Sequence, residues 1–304
     1  MRVVDKIKSV IRLISTIDRR LQKIQQSIGR LEERQLSLQE PKGFNDYEYQ
    51  VTSQWGEDGL IQYLINRVEI ENPIFVEFGV ETYVESNTRF LLMNNNWSGL
   101  VIDGSEQNIQ YIKNDPIYWQ HNLKAECAFI DKNNINSLIQ QNGISGDIGL
   151  LSVDIDGNDY WIWEAIDVVN PRIVICEYNS LWGAVHAVST PYNPEFVRSD
   201  SHFSNLYYGA SIKAFTELAK TKGYSLVGSN KAGNNIFFVR DDLVSNLEVV
   251  MPENTWVQSQ FSEARDESGH LSFLPFLERL KLVADQPLVN LSDGKQYNIS
   301  ELYE

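Results

Sequence analysis

The chain has few of the residues that support covalent crosslinks or redox chemistry: its 304 residues include two cysteines, three methionines and four histidines. Both cysteines, Cys127 and Cys176, fall in apolar runs that predict buried strands, so the sequence offers no disulfide framework. No stretch reaches the roughly 18 apolar residues of a membrane span, and the first residues lack the apolar core of a signal peptide. We therefore expect a cytoplasmic protein without a transmembrane segment, with the inner face of the membrane as an alternative location.

Basic residues are scarce in most of the chain. Residues 1–40 contain nine Lys or Arg and five Asp or Glu, a charge of +4, which leaves −19 for residues 41–304 out of the whole-chain −15. A domain this acidic repels phosphate backbones, so we expect no nucleic-acid partner. A neutral or cationic ligand, or one held by its rings, fits this charge better.

The first 40 residues show a different pattern from the rest. Apolar residues recur at alternating steps of four and three, interrupted at Gln35: Val3, Ile7, Val10, Ile14, Ile17, Leu21, Ile24, Ile28, Leu31 and Leu38. This repeat predicts a coiled-coil stalk, and its isoleucine-rich inner positions favour a homotrimer over a dimer. The alternative is a single amphipathic helix that packs on the domain or lies on a membrane surface.

Apolar runs that end in a carboxylate recur through the middle of the chain. They predict five strands, with helices between them at 85–94, 105–113, 133–141 and 160–168, and their carboxylates are Glu77, Asp103, Asp131, Asp154 and Glu177. Alternating strands and helices favour a parallel sheet, in which these acids would border one crevice. Some of them would instead cap the helices that follow.

The pattern changes after the fifth strand. Residues 179–206 form a long segment without period, which we interpret as a lid or acceptor-binding loop. A helix at 208–222 follows, and two strands joined by a short turn at 230–233 predict an antiparallel hairpin. We therefore divide the chain into a stalk (1–40), an α/β domain (41–250) and a C-terminal helical tail (251–304).

Five βα units followed by a helix and a hairpin resemble class I S-adenosylmethionine-dependent methyltransferases. Four segments resemble the FkbM-type O-methyltransferase branch: Val76-Glu77-Phe78-Gly79, Gly99-Leu100-Val101-Ile102-Asp103-Gly104, Ser152-Val153-Asp154-Ile155-Asp156-Gly157 and Asn234-Asn235-Ile236-Phe237-Phe238-Val239-Arg240. The similarity covers about residues 49–243. It implies a Rossmann-like doubly wound sheet, S-adenosylmethionine as cofactor, and methyl transfer to a carbohydrate hydroxyl on a polysaccharide end or a glycosylated metabolite. A stalk on such a head suggests association with a synthase complex.

The resemblance also implies which residues bind the cofactor. Glu77 and Gly79 would hold its methionine part, Asp103 its ribose, and the segment 129–131 its adenine. The full set is Glu77, Gly79, Glu81, Asp103, Gly104, Phe129, Ile130, Asp131 and Asp154. The chain departs from the pattern after Gly79: a further glycine is expected soon after it, whereas the chain reads Val80-Glu81-Thr82-Tyr83. Glu81 would contact the cofactor itself or narrow the turn.

Catalysis at a hydroxyl requires that its proton be removed, which takes a base, a divalent cation, or both. Asp154, Glu177 and Asn179 would offer oxygen ligands suited to Mg²⁺ or Mn²⁺, in positions similar to those of catechol-type O-methyltransferases. Asp156 is a candidate general base or a further ligand; its alternative role is to cap the next helix. Without a metal, His186 or His202 of the lid could act as the base.

Four lid residues could stack on sugar rings or could simply pack the lid onto the sheet: Trp182, Tyr192, Phe196 and His202. Two further hypotheses from other classes remain. A nicotinamide-dependent oxidoreductase would share the carboxylate for the ribose, although the chain lacks a complete G-x-G-x-x-G. A non-catalytic coiled-coil scaffold would need only the stalk.

Overall fold

A computed structural model describes residues 2–39, 43–259 and 261–303. Within these residues the strands are β1 (Ile74–Phe78), β2 (Ser98–Asp103), β3 (Leu123–Cys127), β4 (Gly146–Val153), β5 (Val169–Glu177), β6 (Val188–Ser189), β7 (Tyr224–Ser229), β8 (Asn235–Arg240), β9 (Pro287–Asn290) and β10 (Lys295–Asn298). The main sheet has the order β3-β2-β1-β4-β5-β8-β7. Strands β1 to β5 are parallel, and β8 runs antiparallel between β5 and β7. The predicted Rossmann-like sheet with a terminal antiparallel hairpin is thus confirmed.

The α-helices of the described residues are α1 (Arg2–Leu38), α2 (Glu57–Ile65), α3 (Arg89–Asn94), α4 (Glu106–Asn114), α5 (Pro116–Gln120), α6 (Ile135–Gln141), α7 (Asp159–Ala165), α8 (Arg198–Ser201), α9 (Ile212–Lys222), α10 (Pro252–Thr255), α11 (Phe276–Leu282) and α12 (Ile299–Leu302). The predicted helices lie close to α3, α4, α6, α7 and α9. The largest shifts are at α3 and α9, which begin at Arg89 rather than 85 and at Ile212 rather than 208. Before α3, the reason is a turn bound by Glu77. No described helix is long and apolar enough to cross a membrane.

The sheet is covered on both faces, as parallel strands require. Alternate residues of each strand point to opposite sides, so Val76 and Phe78 lie in one apolar cluster while Phe75 lies in the other. Helices α6, α7 and α9 cover the first side, and α2, α3 and α4 cover the second. The carboxyl ends of β1, β2, β4 and β5 therefore open at one edge, which positions the site.

The C-terminal segment differs from the predicted helical tail, because it also contains the hairpin β9–β10. Strand β9 pairs with β6 of the lid, and the lid and tail share an apolar cluster that includes Trp182 and Leu288. The lid is therefore fixed by the tail. The boundary predicted between stalk and head, at residues 40 and 41, lies outside the described residues.

Helix α1 contacts the head through two glutamines, a glycine and Leu36. Gln26 donates to the sulfur of Met93 at 3.2 Å, and Gln25 donates to the carbonyl of Val51. Gly29 is buried against Val51 and Phe90. The apolar repeat lies on another face and is exposed in the described chain; the side chain of Val3 lies outside the description.

Candidate active site

The turn after β1 packs backbone against backbone with the end of β4. Gly79 has a φ of +68°, and a Cβ there would lie 1.7 Å from the carbonyl oxygen of Asp154. No residue with a side chain fits this position, so the glycine is required by the fold itself as well as by any ligand. The sequence predicted only a role in binding a ligand for Gly79.

The residues after Gly79 adopt conformations that glycine ordinarily occupies. Glu81 has a φ of +46° and Tyr83 a φ of +59°, both in the left-handed region. Backbone strain of this kind is concentrated at functional sites. Glu81 thus takes a glycine-like conformation close to where the resemblance implied a further glycine, and this accounts for the departure in sequence without a change in the turn.

Asp103 organises the neighbouring turn. One carboxylate oxygen accepts from the backbone nitrogen of Glu81 at 2.8 Å, and the other accepts from the nitrogen of Ser105 at 2.8 Å and from Nδ2 of Asn108 at 3.0 Å. These bonds join the β1 turn to the start of α4. A carboxylate offers about four acceptor sites, so capacity for a ligand hydroxyl remains.

The residues predicted near the adenine lie beyond Asp103. Phe129 is 55% exposed, Ile130 is buried, and the ring of Phe129 lies 3.5 Å from an ideal Cβ at Gly104. Asp131 accepts from the backbone nitrogens of residues 133 and 134, before α6. The Asp131 carboxylate therefore caps the turn that leads into α6, which is the capping alternative.

Glu77 is buried and holds the turn that precedes α3. It accepts from the nitrogens of Asn87 at 2.8 Å and Thr88 at 3.2 Å, and also from the Thr88 hydroxyl. Burial raises the pKa of Glu77 to about 7, and these hydrogen bonds offset part of the increase. Glu77 also lines the crevice, so it lies beside the predicted cofactor turn while serving the fold.

Three acids meet at the ends of β4 and β5. Asp154, Asp159 and Glu177 each offer a carboxylate oxygen, and these oxygens lie within 4.8 Å of one another. Asp159, the first residue of α7, accepts from the nitrogens of Ile155 at 2.7 Å and Gly157 at 2.8 Å. Sequence reasoning missed it as a site residue, although its position two residues after an Asp-Gly turn, at a helix start, was visible.

The cluster disfavours the ionised forms of its own acids. Burial raises the pKa of Asp154 and of Glu177 well above the ordinary range, and the neighbouring acids raise both further. Burial also raises the pKa of Asp159 to about 7. Glu177 is 7% exposed, and its Oε2 has no hydrogen-bond partner among the described residues. Three close carboxylates with an unpaired buried oxygen fit a hard divalent cation.

Asn179, predicted as a metal ligand, is engaged elsewhere. Its amide donates to the carbonyls of Leu206 and Tyr208, each at 3.0 Å, and its oxygen accepts from the nitrogen of Leu181. Asn179 thus ties the start of the lid to its end. The side chain that lies with those of Asp154 and Glu177 is Asp159, whereas the sequence predicted Asn179.

An arginine of the lid crosses the crevice. Arg198 bonds Asp156 at 2.7 Å and Glu263 of the tail at 2.6 Å, and its guanidinium lies 3.7 Å from the centre of the Tyr208 ring. Asp156 has a φ of +57° and a side chain that is 60% exposed. Neither Arg198 nor Glu263 was predicted, because their meeting depends on how the lid and the tail fold together.

The crevice has a volume of about 330 Å³. Its wall runs from the β1 turn to the acid cluster and includes Glu77, Gly79, Glu81, Asp154, Asp156, Glu177, Arg198, Asn235 and Glu263. Most of these side chains are polar or charged. A ligand here would be bound through hydrogen bonds more than through apolar contact.

The two lid histidines do not line the crevice. His186 packs its ring against Tyr303 of the tail at 5.4 Å, and Nδ1 of His202 bonds Ser204 at 2.7 Å. Burial lowers the pKa of His202. The structure therefore places neither candidate base beside the predicted cofactor turn.

The lid aromatics behave mainly as packing residues. Trp182 is fully buried and donates to the carbonyl of Tyr208 at 3.0 Å. The ring of Phe196 lies 2.2 Å from an ideal Cβ at Gly157, so it fills the space above that glycine. The hydroxyl of Tyr192 accepts from the nitrogen of Lys132 at 3.1 Å. These contacts favour the packing alternative for Trp182 and Phe196.

Comparison with known proteins gives a fold likeness alone. No protein-family model and no curated protein matches the chain. Similar solved structures include an S-adenosylmethionine-dependent methyltransferase from Clostridium acetobutylicum, at 11% identity and TM-score 0.39, covering 60% of this chain and 90% of that chain. Another is an O-methyltransferase from Bacillus cereus in complex with SAH, at 12% identity and TM-score 0.38, covering 71% and 90%. A third is PKMT2 from Rickettsia typhi, at 12% and 0.42, covering 70% and 57%. Likenesses this distant carry no evidence about activity.

Proposed function

We propose that the protein is an S-adenosylmethionine-dependent O-methyltransferase whose acceptor is a carbohydrate hydroxyl. The observation that carries the proposal is the acid cluster of Asp154, Asp159 and Glu177, with its unpaired oxygen, directly beside the Gly79 turn. The sheet order supports it, because an antiparallel strand between β5 and β7 is the layout expected for class I methyltransferases.

The cofactor would lie across the carboxyl ends of β1 and β2, where open α/β sheets bind nucleosides. Asp103 would accept a hydrogen bond from a ribose hydroxyl, and the strained turn at Glu81 would hold the methionine end. The methyl group would then point toward the β4 end and the acid cluster.

Methyl transfer needs an acceptor oxygen aligned with the sulfonium and freed of its proton. The oxygen forms the new bond to the methyl carbon, the carbon–sulfur bond breaks, and sulfur keeps the electron pair. Asp156 at the crevice mouth takes the hydroxyl proton, oriented by its bond to Arg198. An ion-paired carboxylate is a weak base, so the hydroxyl must also be made more acidic.

The acid cluster would provide the means to make the hydroxyl more acidic. Asp154, Asp159 and Glu177 would hold Mg²⁺ or Mn²⁺, and a bound divalent cation lowers the pKa of a hydroxyl that contacts it. The polar wall of the crevice suits an acceptor with several hydroxyl groups. These features favour a sugar over an aromatic or aliphatic acceptor.

The oxidoreductase alternative is disfavoured by the turn after β1. A dinucleotide pyrophosphate binds at a helix N-terminus that directly follows a glycine-rich turn. Here α3 begins at Arg89, ten positions after Gly79, and Glu77 occupies the backbone nitrogens of residues 87 and 88. Those donors are not free for a phosphate.

Two measurements test the proposal. Calorimetry should detect binding of S-adenosylhomocysteine and none of NAD. Transfer of a labelled methyl group to neutral oligosaccharides should then require Mg²⁺ or Mn²⁺ and stop in EDTA, while cofactor binding continues. Binding of NAD alone would support the oxidoreductase, and binding of neither would support the scaffold. Full transfer after exhaustive chelation would support a methyltransferase that needs no metal.

A further inference from the structure

Helix α1 presents two faces with different properties, and only one of them meets the head. The head contacts lie at Gln25, Gln26, Gly29 and Leu36. The apolar repeat lies on another face, where the side chains are 48% to 61% exposed: Ile7, Val10, Ile14, Ile17, Leu21, Ile24, Ile28 and Leu31. We call this set the seam.

The seam is not used to pack the helix on its own domain, which was one of the alternatives left open by the sequence. It extends over 24 positions, or about 36 Å at the rise of an α-helix. Single exposed apolar residues are common on soluble proteins, but a continuous stripe of this length marks an interaction surface. The heptad spacing, unlike a broad apolar face, fits another helix with the same repeat.

We propose that the seam binds the seams of two further copies of this chain, in a parallel three-stranded coiled coil. Isoleucine at most a positions (Ile7, Ile14, Ile28) and at two d positions favours three strands over two. Ile11 and Leu13, each 60% exposed, widen the apolar surface in the first half of the helix. Gln35 occupies an a position, so parallel chains would align it with its own copies and fix the register.

The opposite side of the helix packs against the head. A Cβ at Gly29 would lie 2.4 Å from Val51 and 3.2 Å from Phe90, so glycine permits a close approach that other residues would prevent. Val51 begins a segment whose nitrogens at residues 51, 52 and 53 all donate to Asp58 at 2.6–2.7 Å. The next residue, Gln54, lines the crevice. In the trimer each helix would therefore hold its own head on the outer side of the bundle.

The first test measures mass by light scattering at micromolar concentration. We expect wild-type protein at three times the chain mass, and the double variant Ile14→Lys with Ile17→Lys at one chain mass with unchanged binding of S-adenosylhomocysteine. Ser9→Lys, which adds a charge at an exposed position of the same helix outside the seam, should keep the trimer. A monomeric wild type, or a double variant that keeps its mass, would overturn the proposal. A dimer would overturn the three-stranded assembly.

A membrane occupant would give a different result. Wild-type protein that stays monomeric but binds vesicles of phosphatidylcholine and phosphatidylglycerol through the seam would overturn the proposal in favour of a membrane-binding helix.

The contact between Gly29 and the head is tested by hydrogen exchange at residues 51–53. Gly29→Leu should keep the trimer but speed exchange there by about tenfold, whereas Lys23→Leu, on an exposed side of the helix, should not. Equal exchange in both variants would show that Gly29 does not position the head.

Discussion

Helix α1 and the crevice depart from ordinary protein surfaces in opposite ways. Along α1, isoleucine and leucine side chains are about half exposed. In the crevice, Glu177 is 7% exposed beside two further acids. An exposed apolar stripe and a group of close, buried acids are both unfavourable in an isolated chain. Our two proposals give each feature a partner of different chemistry: copies of the same chain for the helix, and a cation with a charged cofactor for the crevice.

The largest expected effect tests the crevice side of this comparison. Asp154→Asn removes one carboxylate of the acid cluster and should lower methyl transfer by about a thousandfold, because the proposed cation would lose a ligand and the acceptor hydroxyl would no longer be made more acidic. The measurement is turnover with labelled cofactor. Asp147→Asn is the control, since Asp147 lies at the other end of β4 and pairs with Arg172 and Arg240. Equal activity of the two variants would contradict the assigned cluster.

The next effect concerns cofactor affinity. Asp103→Ala should weaken binding of S-adenosylhomocysteine by roughly 1.5–3 kcal/mol, the scale for one charge-assisted hydrogen bond to a ribose hydroxyl. Ser105→Ala is the matched control, because it removes another cap of α4 without removing the carboxylate. Calorimetry on both variants decides. If Ser105→Ala weakens binding as much, Asp103 acts only through the helix start.

Sequence patterns predicted the sheet well because periodicity is a local signal. Alternating strands and helices placed all five strand-end acids at one edge, and the hairpin followed from a short turn. The same patterns could not reveal Arg198 and Glu263 as partners, since they lie 65 positions apart and meet only when the lid and tail fold together. Asp159 was missed for another reason. An acid at a helix start is ordinarily explained as a helix cap, so the sequence did not single it out as part of the cluster.

The predicted residues outside the crevice illustrate the same limit. His186 and His202 were candidates by residue type alone, and tertiary contacts place them against Tyr303 and Ser204. Asn179 was predicted from its position after β5, yet its side chain bonds the lid backbone. Position along the chain predicts which edge a residue reaches. It does not predict which neighbours occupy its hydrogen bonds.

A smaller effect tests whether the helix serves assembly, chemistry or both. Deleting residues 1–40 should leave methyl transfer to a small acceptor within a few fold, because no crevice residue lies in that range. It should also expose Val51 and Phe90, each 1% exposed in the full chain. Losing part of their burial would cost about 2–3 kcal/mol and lower the melting temperature by roughly 4–12 °C. Calorimetric melting and an assay on both forms measure this, and loss of activity would mean that stalk and crevice are coupled.

The last expected effect is a change of slope with pH. Burial raises the pKa of Glu77 to about 7 in the folded chain, above its value near 4.5 when unfolded. The folded state therefore binds the proton more tightly, so the stability that Glu77 contributes is complete below about pH 4.5 and is lost as the pH rises through 7. Glu77→Gln cannot titrate, and its unfolding free energy should vary less between pH 5 and 8 than that of wild type, whatever its absolute value. Denaturant titrations at several pH values measure both slopes. Parallel slopes would mean that the three hydrogen bonds to Glu77 keep it ionised throughout this pH range.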